Sequence, residues 1–210
     1  MPVSADTVNE IALPEAAPAG YVRLSIHPDG GVARFRTMGR AHAKAAGRLR
    51  VTYLNSLFTR EARQFFVTAC ASSTWVEGMV AARPHHSPEA VLEAASTRFD
   101  ALTDDDWLEA FAGHPRIGER GDSAANKEQS GVTSASRDVI ARLAAVNEEY
   151  EEKFGFTYIV YATGKTAEQM LEIAEQRLAN TRREEIDNAA REQRSITGTR
   201  LRRMLCQENQ

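Results

Sequence analysis

The sequence predicts an all-α fold: a single compact domain of about seven helices with a short N-terminal β-hairpin as an appendage. Three observations lead there. From about residue 48 onward, apolar residues recur at three- and four-residue spacing, the period of a helix with one buried face. Helix-start signals punctuate the same stretch: Ser87-Pro88, Thr103-Asp104, Thr166-Ala167-Glu168-Gln169 and Thr181-Arg182-Arg183-Glu184. Ahead of it, Tyr21-Val22-Arg23-Leu24-Ser25-Ile26 and Val32-Ala33-Arg34-Phe35-Arg36 alternate apolar and polar residues around the turn cluster His27-Pro28-Asp29-Gly30-Gly31.

Taken in order, residues 2–19 are rich in Pro and Ala without a period and read as a loose tail. An isolated hairpin is marginal in water, so the 21–36 hairpin has to pack on something. Thr59 is the expected cap of a helix burying Ala62, Phe65, Phe66, Ala69 and Cys70. Ser72 or Ser73 restarts the chain, and Trp75, Met79 and Val80 share one face before Arg83-Pro84 stops it. Ser87 and Pro88 open a helix with Val91, Leu92, Ala95 and Phe99 inward. Thr103 or Asp104 opens a short one holding Trp107, Leu108 and Phe111. Residues 113–131 read as a loop with one helical turn at most. A long amphipathic helix is expected near 134–153, ended by Gly155. Phe156 to Tyr161 is the one dense run of β-branched and aromatic residues, either an extended buried segment or a helix start. The capping box at Thr166 begins a helix reaching Asn180, and Thr181 begins the last, which carries Ile186, Ala189, Ala190, Ile196, Leu201 and Leu205. The expected division is residues 1–47 for tail and hairpin and 48–206 for the helical domain.

Composition excludes several function classes. Of the 210 residues 42% are hydrophobic and 26% charged, which excludes a mainly disordered chain or a collagen-like repeat. No stretch approaches the ~18–20 uninterrupted apolar residues of a membrane span. A net charge of −3 carries no nucleic-acid footprint. Residues 1–19 lack the basic-then-apolar order of a secretory signal. Cys70 and Cys206 suit a reducing compartment, so the expectation is a cytoplasmic protein with neither nucleic-acid nor membrane partners.

Few residues carry chemistry. Gly113-His114-Pro115-Arg116-Ile117-Gly118 places a histidine at a rigid corner leaving a helix, and its ordinary pKa suits acid–base work at neutrality. The same spacing fits a histidine that only closes the helix end. Glu128 in Asn126-Lys127-Glu128-Gln129-Ser130-Gly131 either pairs with His114 or lies solvated on a surface. Arg200 either grips a carboxylate through its planar fork or joins Arg194, Arg202 and Arg203 in a basic face. His85-His86 resembles a metal pair, but adjacent histidines would point apart on a helix and no carboxylate has matching spacing, so no metal site is expected.

Residues 51–206 resemble the OHCU decarboxylases (2-oxo-4-hydroxy-4-carboxy-5-ureidoimidazoline decarboxylases), which complete urate oxidation to allantoin. The resemblance runs through Leu54-Asn55, Trp75-Val76, Arg83-Pro84, Trp107-Leu108, Ala110-Phe111 and His114-Pro115-Arg116-Ile117-Gly118. It continues through Glu128-Gln129-Ser130-Gly131-Val132, Asn147, Tyr150, Lys153-Phe154-Gly155-Phe156, Ala162-Thr163-Gly164-Lys165, Glu192, Ile196 and Arg200-Leu201. It implies a single all-α domain, a homodimer, a small-molecule substrate and no cofactor. It also implies His114 and Glu128 as catalytic residues. Pro115, Gln129, the Tyr158-Ile159-Val160-Tyr161-Ala162 segment and Arg200 would bind substrate. Three positions depart from the family pattern: Ala125 stands where a serine is usual (Ser123 or Asn126 being the candidate replacements), Tyr161 where a cysteine is, and Ser195 where a lysine is common. Residues 21–36 are similar to the closing strands of allantoicase, which implies fusion to or association with that enzyme. Two functions therefore stand. One is decarboxylation of OHCU to (S)-allantoin; the other, motivated by Ala125 and Tyr161, is a non-catalytic helical module docking on an allantoicase-like partner.

Overall fold

A computed structural model describes residues 43–116 and 137–206, which form eight α-helices. The chain divides into two compact units, Met1–His42 and Ala43–Gln210, and every described residue belongs to the second. The expected hairpin at 21–36 lies outside the described residues, as does most of the 113–131 loop.

Helix α1 (Ala43–Ser56) is the element the apolar spacing did not separate out. Its apolar residues sit on both faces: Val51 and Leu54 are buried, whereas Leu49 and Tyr53 are 63% exposed, so no clean stripe marks it. Helix α2 (Thr59–Val67) begins one residue before the expected start. Thr59 is its first helical residue rather than its cap; the cap position is Phe58, whose N–H donates to the Glu61 carboxylate at 3.1 Å. Ser72 caps α3 (Ser73–Ala81) by accepting from the Trp75 N–H, and Ser87 caps α4 (Pro88–Phe99) by accepting from the Ala90 N–H. Thr103 and Asp106 form a reciprocal capping box on α5 (Asp104–Ala112).

Helix α6 (Arg137–Phe154) ends at Gly155, whose φ of +78° is the left-handed stop that glycine adopts without strain. Thr166 and Gln169 box the start of α7 (Ala167–Arg177), which ends three residues short of the expected Asn180. The last helix, α8 (Arg182–Cys206), is 25 residues long and packs against α1, α4, α5 and α6. An aromatic row ties these layers together: Trp75 stacks on Phe99 at 5.3 Å, Phe99 on Trp107 at 5.2 Å, and Phe111 meets Phe156 at 5.3 Å. Among the described residues no helix is long and apolar enough to cross a membrane.

Between α6 and α7, the 156–162 segment is almost wholly buried yet belongs to no helix or sheet. Buried backbone must find hydrogen bonds, and here side chains supply them. Arg177 donates from Nη1 to the Ile159 carbonyl at 2.8 Å, and Lys165 donates to the Tyr161 carbonyl at 2.6 Å. Glu192 accepts the Tyr161 N–H, and the Tyr158 hydroxyl donates to the Met170 carbonyl at 3.1 Å.

Arg177 is itself held by Glu185, which is fully buried, through Nε at 2.7 Å. Tyr150, Asn180 and Asn188 donate to the same carboxylate, so both charges of this buried pair have partners. Burial opposes the charge on Glu185, but those donors and Arg177 prevail and hold its carboxyl below the usual range.

Removing one partner strands the other charge, so Arg177→Met should destabilise the protein by about 3–5 kcal/mol in denaturant titration at neutral pH. A carboxyl depressed in the folded state adds stability that is complete above its unfolded pKa of about 4.3. That stability disappears as pH falls through the lower folded value. Glu185→Gln should therefore flatten the acid limb of stability against pH; an unchanged limb would show that this carboxylate does not set it.

Candidate active site

The last turn of α5 runs into a corner whose geometry depends on a missing side chain. A Cβ on Gly113 would lie 2.5 Å from the Ala71 Cβ, inside any real contact, so only glycine lets this helix end dock on the α2–α3 turn. The next residue, His114, donates its backbone N–H to the Phe111 carbonyl at 3.0 Å. Arg116 then forms a two-pronged pair with Glu151 of α6, with Nε to Oε1 at 3.0 Å and Nη2 to Oε2 at 2.6 Å. His114 and Pro115 are thereby clamped on both sides and stay half-buried.

A cleft opens at this corner, with about 460 Å³ of space including its solvent-filled mouth. His114 and Pro115 line it together with residues 158–163 of the non-helical segment. Ile196 and Thr199 of α8 complete the lining. Tyr161 reaches across to α8, where its hydroxyl and that of Thr199 lie 3.0 Å apart. Hydrogen bonding by Thr199, and then by Thr163, holds the Tyr161 phenol below its ordinary pKa. Val160 lines the cleft, and among the described residues its N–H and C=O make no hydrogen bond.

The fold thus brings His114, Pro115, Tyr158, Ile159, Val160, Tyr161 and Ala162 together around one cleft. It does not put Arg200 in that lining. Arg200 is half-buried one turn beyond Ile196, and its Nη1 points at the Ala69 carbonyl at 3.5 Å. Glu128 and Gln129, together with Ala125 and its neighbours Ser123 and Asn126, lie outside the described residues.

Two residues that the sequence analysis passed over bear directly on His114. Its Nε2 lies 2.7 Å from Oε1 of Gln193, and Gln193 Nε2 donates to Thr197 Oγ1 at 3.1 Å. Both are fully buried on α8. The sequence held a signal for them, since Gln193 and Thr197 interrupt the apolar stripe of Ile186, Ala189, Ile196 and Leu201 at helical spacing. Polar groups at such positions are costly unless they are paired.

The family profile of OHCU decarboxylase matches residues 55–202. The chain belongs to the OHCU decarboxylase family. A crystal structure of OHCU decarboxylase in the presence of (S)-allantoin shares 30% identity with it at a TM-score of 0.63, covering 68% of this chain and 98% of that one. The uric acid degradation bifunctional protein TTL of Arabidopsis thaliana is 32% identical over 144 residues, 64% of this chain. The uric acid degradation bifunctional protein of Bacillus sp. (strain TB-90) is 23% identical over 158 residues, 73% of this chain. The chain spans only 44% and 32% of the lengths of those two proteins. An allantoicase repeat profile matches residues 1–42, ahead of the family domain.

The close approach at Gly113 makes a direct prediction. Gly113→Ala should cost about 1–3 kcal/mol through overpacking and displace the histidine next to it. Thermal denaturation measures the first effect, and loss of turnover at a temperature where the variant remains folded measures the second.

Proposed function

We propose that this chain decarboxylates OHCU to (S)-allantoin in urate degradation, using no metal or organic cofactor. The observation that carries the proposal is the juxtaposition, in one cleft, of an acid–base histidine with unengaged backbone amide groups of Val160. An imidazole moves protons near neutrality, and bare amide groups suit a ring and ureido group rich in N–H and C=O.

The reaction supplies its own electron sink. As the bond to the carboxylate breaks, CO2 leaves and the electron pair flows through the neighbouring ring carbon into the C=N bond. The ring nitrogen takes one proton from the medium. The hydroxyl carbon becomes a carbonyl as its proton is removed, and the adjacent ring carbon gains one. His114 is the group proposed to remove and return that proton, and delivery to one face gives one enantiomer. Glu128 is assigned to orient or relay to the imidazole and Gln129 to hold substrate amides. Arg200 is assigned to attract the substrate carboxylate from its place beside the cleft.

The Tyr161–Thr199 bridge is the one observation that favours the non-catalytic alternative, because it spans space that a substrate needs. Turnover decides between the two. Freshly generated OHCU, in buffer stripped of metal by chelation, should give optically active allantoin with the wild type. His114→Ala should lose at least ~10²-fold while keeping its fold. Near-wild-type rates in that variant would remove His114 from the mechanism.

Arg200 has a separate signature. Arg200→Lys keeps the charge but loses the fork, and should raise KM about tenfold, the worth of one charge-assisted hydrogen bond, with kcat little changed. Unchanged KM would take Arg200 out of substrate binding.

A further inference from the structure

His114 stands at the end of a line of hydrogen bonds whose direction can be read from its far end. The Ala69 carbonyl lies just past the end of α2, and an oxygen of this kind can only accept. Thr197 lies 3.3 Å from it and donates its single hydroxyl hydrogen there. The Thr197 oxygen then has only lone pairs to offer Gln193, so the amide must present its NH2 to Thr197, at 3.1 Å. That orientation turns Oε1 of Gln193 toward His114 Nε2, at 2.7 Å. Facing an oxygen that cannot donate, Nε2 must carry a hydrogen.

The opposite orientation is the poorer one at the buried end. It would turn the Thr197 hydrogen toward Gln193 and leave the Ala69 carbonyl with the Arg200 guanidinium at 3.5 Å as its remaining donor on this line. Gln193 and Thr197 have no exposed surface, so bulk water cannot take over the lost bond. The Cys70 thiol beside Thr197 is pushed up to about 11, chiefly by burial, and stays protonated at neutral pH. No thiolate therefore competes for the Thr197 hydrogen.

We propose that Gln193, backed by Thr197 and the Ala69 carbonyl, is a positioning residue that holds the proton of neutral His114 on Nε2 and so makes Nδ1 the nitrogen that exchanges protons with substrate. The role of Nδ1 rests on the decarboxylase reading above. In that reaction Nδ1 takes the hydroxyl proton of the substrate, giving an imidazolium whose Nε2–H is stabilised by Gln193 Oε1. It then hands the proton to the adjacent ring carbon and returns to the neutral ring. Gln193 gains and loses nothing.

Other charged groups border the site. Arg200 shares the Ala69 carbonyl, Arg116 is paired with Glu151, and Glu192 is engaged by the Tyr161 N–H. A carboxylate introduced at 193 would be the only new charge on the line.

Long-range proton–nitrogen NMR on histidine-labelled protein reads the tautomer directly, with the His114 signals assigned by their loss in His114→Ala. The wild type should show Nε2–H, a result that needs no variant to fold. Gln193→Leu should release the ring into mixed tautomers and lower kcat at least about tenfold, part of the ~10⁴-fold that a wrong tautomer costs a serine-protease histidine. KM should hold within about twofold, since the side chain is not assigned to substrate binding. Thr197→Val should move both readouts the same way by a smaller amount. Gln193→Glu keeps an acceptor at Nε2, so it should keep the tautomer and shift the kcat pH profile upward by about one unit or more. An Nδ1–H tautomer in the wild type overturns the proposal. So does a folded Gln193→Leu protein with unchanged tautomer and kcat. A wild type that shows Nε2–H under the control of Gln193 but turns over no OHCU overturns the reaction and the role of Nδ1, and leaves the proton placement standing.

Discussion

The buried pair of Arg177 and Glu185 is the constraint on which the rest of the site depends. Among the described residues no strand lies beside 156–162 as it crosses the interior, so its polar backbone has no ladder there to join. In a low-dielectric interior a free carbonyl is expensive, and the segment is stable only because charged side chains reach in to satisfy it. Arg177 performs that task for Ile159 while lying 5.1 Å over the Tyr158 ring. A guanidinium alone in such a place would be costlier than the carbonyl it serves. Glu185, with its ring of amide and phenol donors, makes it tolerable. The consequence for chemistry is that one stretch of backbone is pinned without being fully consumed, leaving the peptide groups of Val160, a residue that lines the cleft, without a hydrogen bond among the described residues.

Helix α8 converts these local solutions into one geometry. It carries Glu185 for the buried pair, Glu192 for the Tyr161 N–H, Gln193 and Thr197 for the histidine, Thr199 for Tyr161, and Arg200 beyond them. From Glu185 to Arg200 a helix rises about 22 Å, and its rigidity keeps these groups in fixed order. The histidine corner is held independently, by the Gly113 contact with Ala71 on one side and the Arg116–Glu151 pair on the other. Cleft residues set by different parts of the chain meet over one helix, which is how a small domain presents a site with little freedom to reorganise.

Tyr161 ties the non-helical segment to α8, its length letting the hydroxyl reach Thr199. Its backbone is gripped at both ends, by Glu192 at the N–H and Lys165 at the carbonyl, with the Lys165 ammonium 5.5 Å over the ring. The tyrosine is therefore built into the site rather than hanging loose in it.

What the sequence determined by itself was local or periodic. Helical spacing, capping residues and the stop at Gly155 depend on neighbours within a few positions, which is why Ser72, Ser87, Thr103 and Thr166 were all legible as helix starts. The errors have the same origin: Thr59 looked like a cap, but Glu61 serves Phe58 instead, and α1 lacked a one-sided stripe to reveal it. The motif order identified the family, and the Gly-His-Pro corner marked the histidine. Only the tertiary structure decided that 156–162 is neither strand nor helix, because that choice depends on Arg177, Lys165 and Glu192 arriving from elsewhere. It also placed Arg200 beside the cleft rather than on its wall and set Gln193 against His114 across 79 residues of chain. A buried glutamine in a helix is, in sequence, one more polar residue. Its meaning comes from which acceptor lies at the far end of its hydrogen bonds, and only folding brings the Ala69 carbonyl there.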